Sequence, residues 1–442
     1  MLMTTMNASP ASTPPVTDSP SGRPVGRVIL LMSPATYRAN AFAEAGERIG
    51  LALVRATDLP PELARHWHVA LGIDFSRPEA ALDRIIEMAR DKDAAPVLAI
   101  IAVDDRGALI AARASAILGL PHNDPDSALA ARDKFVMRER LNAGGVPVPA
   151  YTRYPATTDP VTIADAIAYP CVVKPLLLSG SRGVIRADDP AEFVNAFART
   201  CRIIEASGMA ASEHGILVER FVPGVEVALE GLLTDGTLRT LALFDKPDPL
   251  DGPFFEETIY VTPSRLPEDV QAAISARTAE AAAAIGLRHG PVHAELRIDL
   301  EHGEIWTIEL AGRSIGGLCS SVLEFGTGVN LEELILRHAA GMALGSTERG
   351  PDAAGVMMIP IPRRGILRCV DGIESALAVA GITGVEITAP LNQPIVPLPE
   401  GESYLGFIFA RAESPALAEA ALRESHTRLT FRIDPTIPLI PA

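Results

Sequence analysis

The sequence predicts a multidomain protein: parallel α/β at its N-terminus, α+β through its middle, with a C-terminal α/β cap. Three observations predict it. Strands and helices alternate between residues 27 and 118. Long strands meet at tight turns between 122 and 345. After 351, short strands are punctuated by proline. The expected division is a disordered Ser/Thr/Pro-rich tail at 1–25, an α/β domain at 26–121, a second domain at 122–345 and the cap at 351–442.

In the first domain, the apolar run 27–32 reads as a buried strand. Strands at 51–55, 69–73 and 97–103 follow, with helices at 41–50, 78–89 and 107–118. Such alternation builds a small parallel sheet. Asp104-Asp105-Arg106 closes the last strand, where open α/β sheets bind ligands. In the second domain, Asp133 can N-cap a helix to about 142, stopped by Gly144-Gly145. Strands are expected at 151–154, 171–175 and 216–221, and helices at 190–205 and 268–285. Asp235-Gly236 between 225–234 and 238–244 is a hairpin signal. A second hairpin joins 292–300 to 304–310 through His302-Gly303. The cap carries strands at 356–360, 365–370, 386–388 and 406–410, and helices at 373–380 and 415–426.

With 39 basic and 55 acidic residues, the net charge of −16 argues against nucleic acid or an anionic membrane as partner. No CxxC pair occurs among the four cysteines, and their sparse use fits a reducing cytoplasm. No apolar stretch reaches the length of a membrane span, and the first 25 residues lack the apolar run of a signal peptide. A homodimer is compatible with all this.

The chemistry lies in an ordered series of motifs. Lys134 opens a helix and Lys174 ends an apolar strand. An ammonium in either place needs an anionic partner, and phosphate is one. The loop Ser179-Gly180-Ser181-Arg182-Gly183 can bring backbone N–H groups and hydroxyls to phosphate oxygens. It is not a Walker loop, and no G-x-G-x-x-G follows the first strand. The stretch Glu219-Arg220-Phe221-Val222 can line an adenine, and Glu226 can reach a ribose. A hairpin turning at 301–303 sets Glu295 opposite Glu309. Like charges so placed repel unless something bridges them, and carboxylate oxygens suit Mg²⁺ or Mn²⁺. Arg313 offers a planar fork for a carboxylate or phosphate. His293 shares a strand face with Glu295 and reads equally as a proton-transfer group or a structural histidine. Glu257, in a long Gly/Pro-rich loop, could hold a substrate ammonium, and Gly316-Gly317 could shape a small-ligand pocket.

Taken in this order, the motifs resemble those of ATP-grasp enzymes over roughly residues 27–345, with a C-terminal part similar to that of bacterial L-amino acid ligases. The resemblance implies an ATP-grasp fold behind a parallel α/β domain. By motif, it places Lys134, Lys174 and the 179–183 loop on the phosphates of ATP and Glu219 onward at the adenine. Glu295 and Glu309 fall on magnesium, and Arg313 on the substrate or phosphoryl intermediate. The implied reaction activates a carboxylate, an amino acid, as an acyl phosphate and couples it to an amine, releasing ADP and phosphate. One departure stands out: the second metal position reads Glu309-Leu310-Ala311, where many relatives have Glu-x-Asn. Alternatives within the resemblance are a biotin-carboxylase-like enzyme, a purine-synthesis ligase and a non-catalytic ATP-binding protein.

Overall fold

The computed structural model describes residues 25–436 apart from 35, 68, 70 and 209–213, so nearly all of the expected tail lies outside the described residues. Near the N-terminus, Leu71–Gly72, Ala52–Thr57, Arg27–Met32 and Val97–Ala102 form a four-stranded parallel sheet in that order. Arg27–Met32 is buried along its whole length, as its unbroken apolar run requires. Asp104 then N-caps the helix Asp105–Leu118, accepting from the Arg106 amide.

A second sheet, wholly antiparallel, orders Tyr151–Pro155, Gly215–Arg220, Cys171–Pro175 and Ile185–Ala187. The helix Pro190–Ala206 covers it through Phe193, Phe197 and Ile204. The largest sheet has eight strands. It runs Glu304–Ala311, Gly290–Asp299, Val225–Thr234, Thr237–Lys246, Ile259–Thr262, Ala353–Ile359, Gly406–Ala412, Ile382–Ile387. Asp235 and Gly236 both have positive φ, 51° and 86°, which the tight hairpin turn between Val225–Thr234 and Thr237–Lys246 demands. The helices Lys134–Ala143 and Glu268–Ile285 share one apolar core with this sheet. Pro415–Thr427 packs over its C-terminal strands.

Some elements depart from expectation. The strand expected at 69–73 narrows to Leu71–Gly72, and residue 70 lies outside the described residues. The short helices Pro61–His66, Pro125–Ala130 and Leu331–Ala339 were not anticipated. Nor was the strand Ile259–Thr262, which joins residues 225–311 to the strands beyond 351 in one continuous sheet. Four residues between proline-rich loops carry too little alternation to reveal such a role. All four cysteines are free, with Cys171 and Cys319 buried. No helix among the described residues is long and apolar enough to cross a membrane.

Candidate active site

A cavity of about 690 Å³ opens between the three sheets. Its walls include every residue singled out above for a site except Arg182 and Gly183. That glycine instead donates its N–H to the carbonyl of Pro399 at 2.9 Å.

One end of the cavity is apolar. Val172, Val184, Phe221 and Phe255 form a small cluster there. Two guanidinium groups lie over the Phe221 ring, Arg186 at 4.2 Å and Arg297 at 5.0 Å from its centroid. Arg220 and Val222 line the cavity on either side of it. A flat heteroaromatic ring fits such a slot.

The next wall is set by the helix Lys134–Ala143. Asp133 caps it, accepting from the amides of Phe135 and Val136. Spacing of four residues then places Lys134 and Arg138 on one buried face. Lys134 Nζ donates to the Leu178 carbonyl at 2.7 Å and lies 3.6 Å from Glu309. Arg138 and Lys174 hold the two oxygens of Glu219, each at 2.6 Å. So Glu219, expected at the adenine, turns its side chain away into a buried ion triad. Burial alone would raise its carboxyl, but the charges of Arg138 and Lys174 win and hold it down to about 2.

The hairpin places Glu295 opposite Glu309, the register expected from its turn. A bulge follows at once, because Leu296 faces Thr307. Each of the two carboxylates has its own cation in reach: Lys134 for Glu309 and Lys246 for Glu295, both at 3.6 Å. Glu295 groups instead with Glu226 and Glu257, whose oxygens come within 4.8 Å of one another. Lys246 sits against this trio, 2.8 Å from Glu226 and 2.5 Å from Glu257. Glu226 and Glu257 are therefore occupied by an internal ammonium rather than standing free for a ribose or a substrate amine. Tyr260 also donates to Glu257, at 2.7 Å. Burial would lower the Lys246 ammonium, yet the three carboxylates raise it well above its usual range. Burial pushes the Glu257 carboxyl up despite Lys246. Glu295, half-buried but beside Lys246 and His293, is held well down.

His293 bridges Glu230, at 2.5 Å, and Glu295, at 3.4 Å. Burial works against its proton, but the Glu230 carboxylate pushes its pKa up to about 9. Glu230 also accepts from the Ile315 amide at 3.1 Å, which fixes the turn leading to Gly316 and Gly317. Arg313 makes a two-pronged pair with Asp105, at 2.8 and 2.9 Å, tying the large sheet to the end of the parallel one.

Sequence reading missed Lys246, Arg138 and Glu230. Lys246-Pro247 repeats the Lys174-Pro175 pattern, a lysine ending an apolar strand before proline, and that signal was available. Arg138 was legible as the i+4 neighbour of Lys134. Nothing local marks Glu230.

Carboxylate oxygens are hard donors, and Glu295 and Glu309 both face the cavity, so the donor set fits a divalent cation. Ala311 adds no side-chain donor.

Two family descriptions match the chain. An ATP-grasp domain matches residues 167–322, and L-amino acid ligase C-terminal domain 2 matches residues 357–434. An uncharacterized protein of Sinorhizobium fredii (strain NBRC 101917 / NGR234) is 27% identical over 316 residues, covering 72% of this chain and 64% of the relative. The alanine–anticapsin ligase of Bacillus subtilis (strain 168) is 27% identical over 243 residues, 51% of this chain and 50% of the relative. The chain thus spans less than two thirds of either curated relative. The crystal structure of an L-amino acid ligase from Bacillus licheniformis is similar with a TM-score of 0.75 at 25% identity, covering 92% of this chain and 99% of that one. The chain thus contains an ATP-grasp domain over residues 167–322, followed at residues 357–434 by a match to L-amino acid ligase C-terminal domain 2.

Proposed function

We propose that the protein is an ATP-dependent ligase that activates a small carboxylate, an amino acid, and joins it to an amine. The observation that carries this reading is the convergence of groups on one cavity: an apolar slot, two lysines, paired carboxylates and Arg313. The Bacillus licheniformis structure and the C-terminal match favour amino acids as substrates.

In this reading, adenine enters the slot at Phe221 and Phe255, and Lys134 and Lys174 hold the phosphates. Ser179, Gly180 and Ser181 cover them. Arg313 holds the substrate carboxylate with its free donor capacity and offsets charge in the transition state. Glu295 and Glu309 would hold Mg²⁺ or Mn²⁺, which when bound neutralises phosphate charge. A carboxylate oxygen attacks the γ-phosphorus, the bond to the bridging oxygen breaks, and ADP leaves. The amine nitrogen then attacks the acyl carbon, and phosphate departs. The amine sheds its proton as phosphate departs, and an oxygen of that phosphate can accept it. Gly316 leaves open space beside it for the substrate side chain.

The test is incubation with ATP, Mg²⁺ and pools of L-amino acids, following phosphate and product mass. Phosphate release that requires two amino acids, with a product lighter than their sum by one water, supports the reading. ATP binding without release from any pool would overturn it.

A further inference from the structure

The loop over the phosphates does not stand free. Gly183 is held from both sides: its N–H donates to Pro399, and its carbonyl accepts from the buried Thr200 hydroxyl at 3.0 Å. Arg182 donates from Nε to the Glu400 carbonyl at 3.0 Å and from Nη1 to the Glu402 carboxylate at 3.2 Å. Behind it, Arg199 grips the Glu400 carboxylate with two bonds, 2.6 and 2.9 Å. Pro399, Glu400 and Glu402 belong to one short stretch of the C-terminal part. The same stretch continues into Ser403 and Tyr404, which line the cavity. The Tyr404 ring meets Phe407 edge-on at 6.1 Å, and Phe407 and Gly317 line the same cavity, where a side chain on Gly317 would run into the Phe407 ring. A single segment therefore contacts the phosphate loop at one end and the substrate end of the cavity at the other.

We propose that residues 399–404 are the second half of the lid, and that Arg182, Arg199 and Glu400 are positioning residues that hold the phosphate loop shut while the acyl phosphate exists. This rests on the ligase reading above. Closure matters because water competes with the amine. If the loop opens early, a water oxygen attacks the acyl carbon, the bond to the phosphate oxygen breaks, and phosphate leaves with the free carboxylate regenerated. ATP is then consumed with no amide formed. Arg199 and Glu400 remain about one-third exposed, so their bond contributes modestly, and the expected effects are a few-fold.

The test compares Arg199→Met, Glu400→Gln and the double variant with the natural chain. Expected are a phosphate-to-product ratio rising from one to about two or more, and an ATP KM raised about threefold. The double variant should be no worse than the worse single, because both remove one bond. Hydrogen exchange in peptides covering 179–184 should quicken about three- to tenfold, since the Gly183 amide loses its acceptor when the segment lifts. A ratio that stays at one in folded variants, with only a lower denaturation midpoint, assigns the pair a purely structural role and overturns the proposal. Exchange needs no substrate, so unchanged exchange overturns the lid even where the natural chain forms no product, and that second failure is the ligase reading's own.

Discussion

Replacing Glu219 by glutamine removes one charge from the most buried ion group of the site. Glu219 and Arg138 are 3% and 2% exposed, and Lys174 is 8% exposed. The carboxyl is held at about 2 against an ordinary 4.5. At about 1.4 kcal/mol per unit, that difference corresponds to about 3 kcal/mol of folding stability. An independent route gives a similar figure: breaking a buried pair from one side costs about 3–5 kcal/mol, because the cations left behind stay desolvated. A depressed carboxyl stabilises fully above the unfolded value of 4.5, and the contribution is lost as pH falls through about 2. Chemical denaturation at pH 7 should therefore show Glu219→Gln less stable by about 3 kcal/mol, with the two proteins converging as pH drops from 4.5 to 2. A loss under about 1 kcal/mol at pH 7, or two stability curves falling in parallel through that window, would refute the ion-triad argument.

Three further outcomes follow from the same geometry. His293 should titrate near 9 by NMR and His338 near 4, the first raised by Glu230 and the second lowered by burial. His293 then stabilises fully below 6.5 and loses that contribution as pH rises through 9; a midpoint near 6.5 would contradict its pairing. Lys246→Met leaves Glu226, Glu257 and Glu295 without their ammonium, so a loss of about 3 kcal/mol at pH 7 should shrink at pH 5, where carboxyls can protonate; an equal loss at both pH values argues against an ionic origin. Arg313→Lys should lower kcat about 100-fold or more, since a lysine cannot reproduce the fork that meets Asp105, and turnover like the natural chain's would remove Arg313 from the chemistry.

Much of this was legible in the sequence wherever the signal is local. The Glu295–Glu309 register follows from a turn and a period of two. The Asp133 cap and the helix Glu268–Ile285 follow from short-range preferences. What stayed hidden is non-local. Asp105 falls at the end of the parallel sheet, as its sequence position implies, but its partner Arg313 lies 208 residues away. The Ile259–Thr262 strand is defined by its neighbours, not by its own pattern. Glu219 sits in an apolar strand in the expected place, but the direction of its carboxylate depends on Arg138, a residue on another element.

The charges of the cavity also share a rule. Lys134 faces Glu309, Lys174 faces Glu219, Lys246 faces three carboxylates, and Arg313 faces Asp105. Burying any of these alone would cost several kcal/mol, so the fold supplies each with a partner before any ligand arrives. Binding a polyanion here is then an exchange of partners rather than a neutralisation of idle charge. The exchange is graded by distance. Lys134–Glu309 and Lys246–Glu295 stand at 3.6 Å, beyond hydrogen-bond length, and give way most readily. Lys174–Glu219 and Arg313–Asp105 are tight and persist. The loosely held carboxylates are the two that face each other across the hairpin. On the proposed reading, a phosphate that draws Lys134 towards itself would release Glu309 as an oxygen donor, which would tie nucleotide and divalent-cation occupancy together through one lysine.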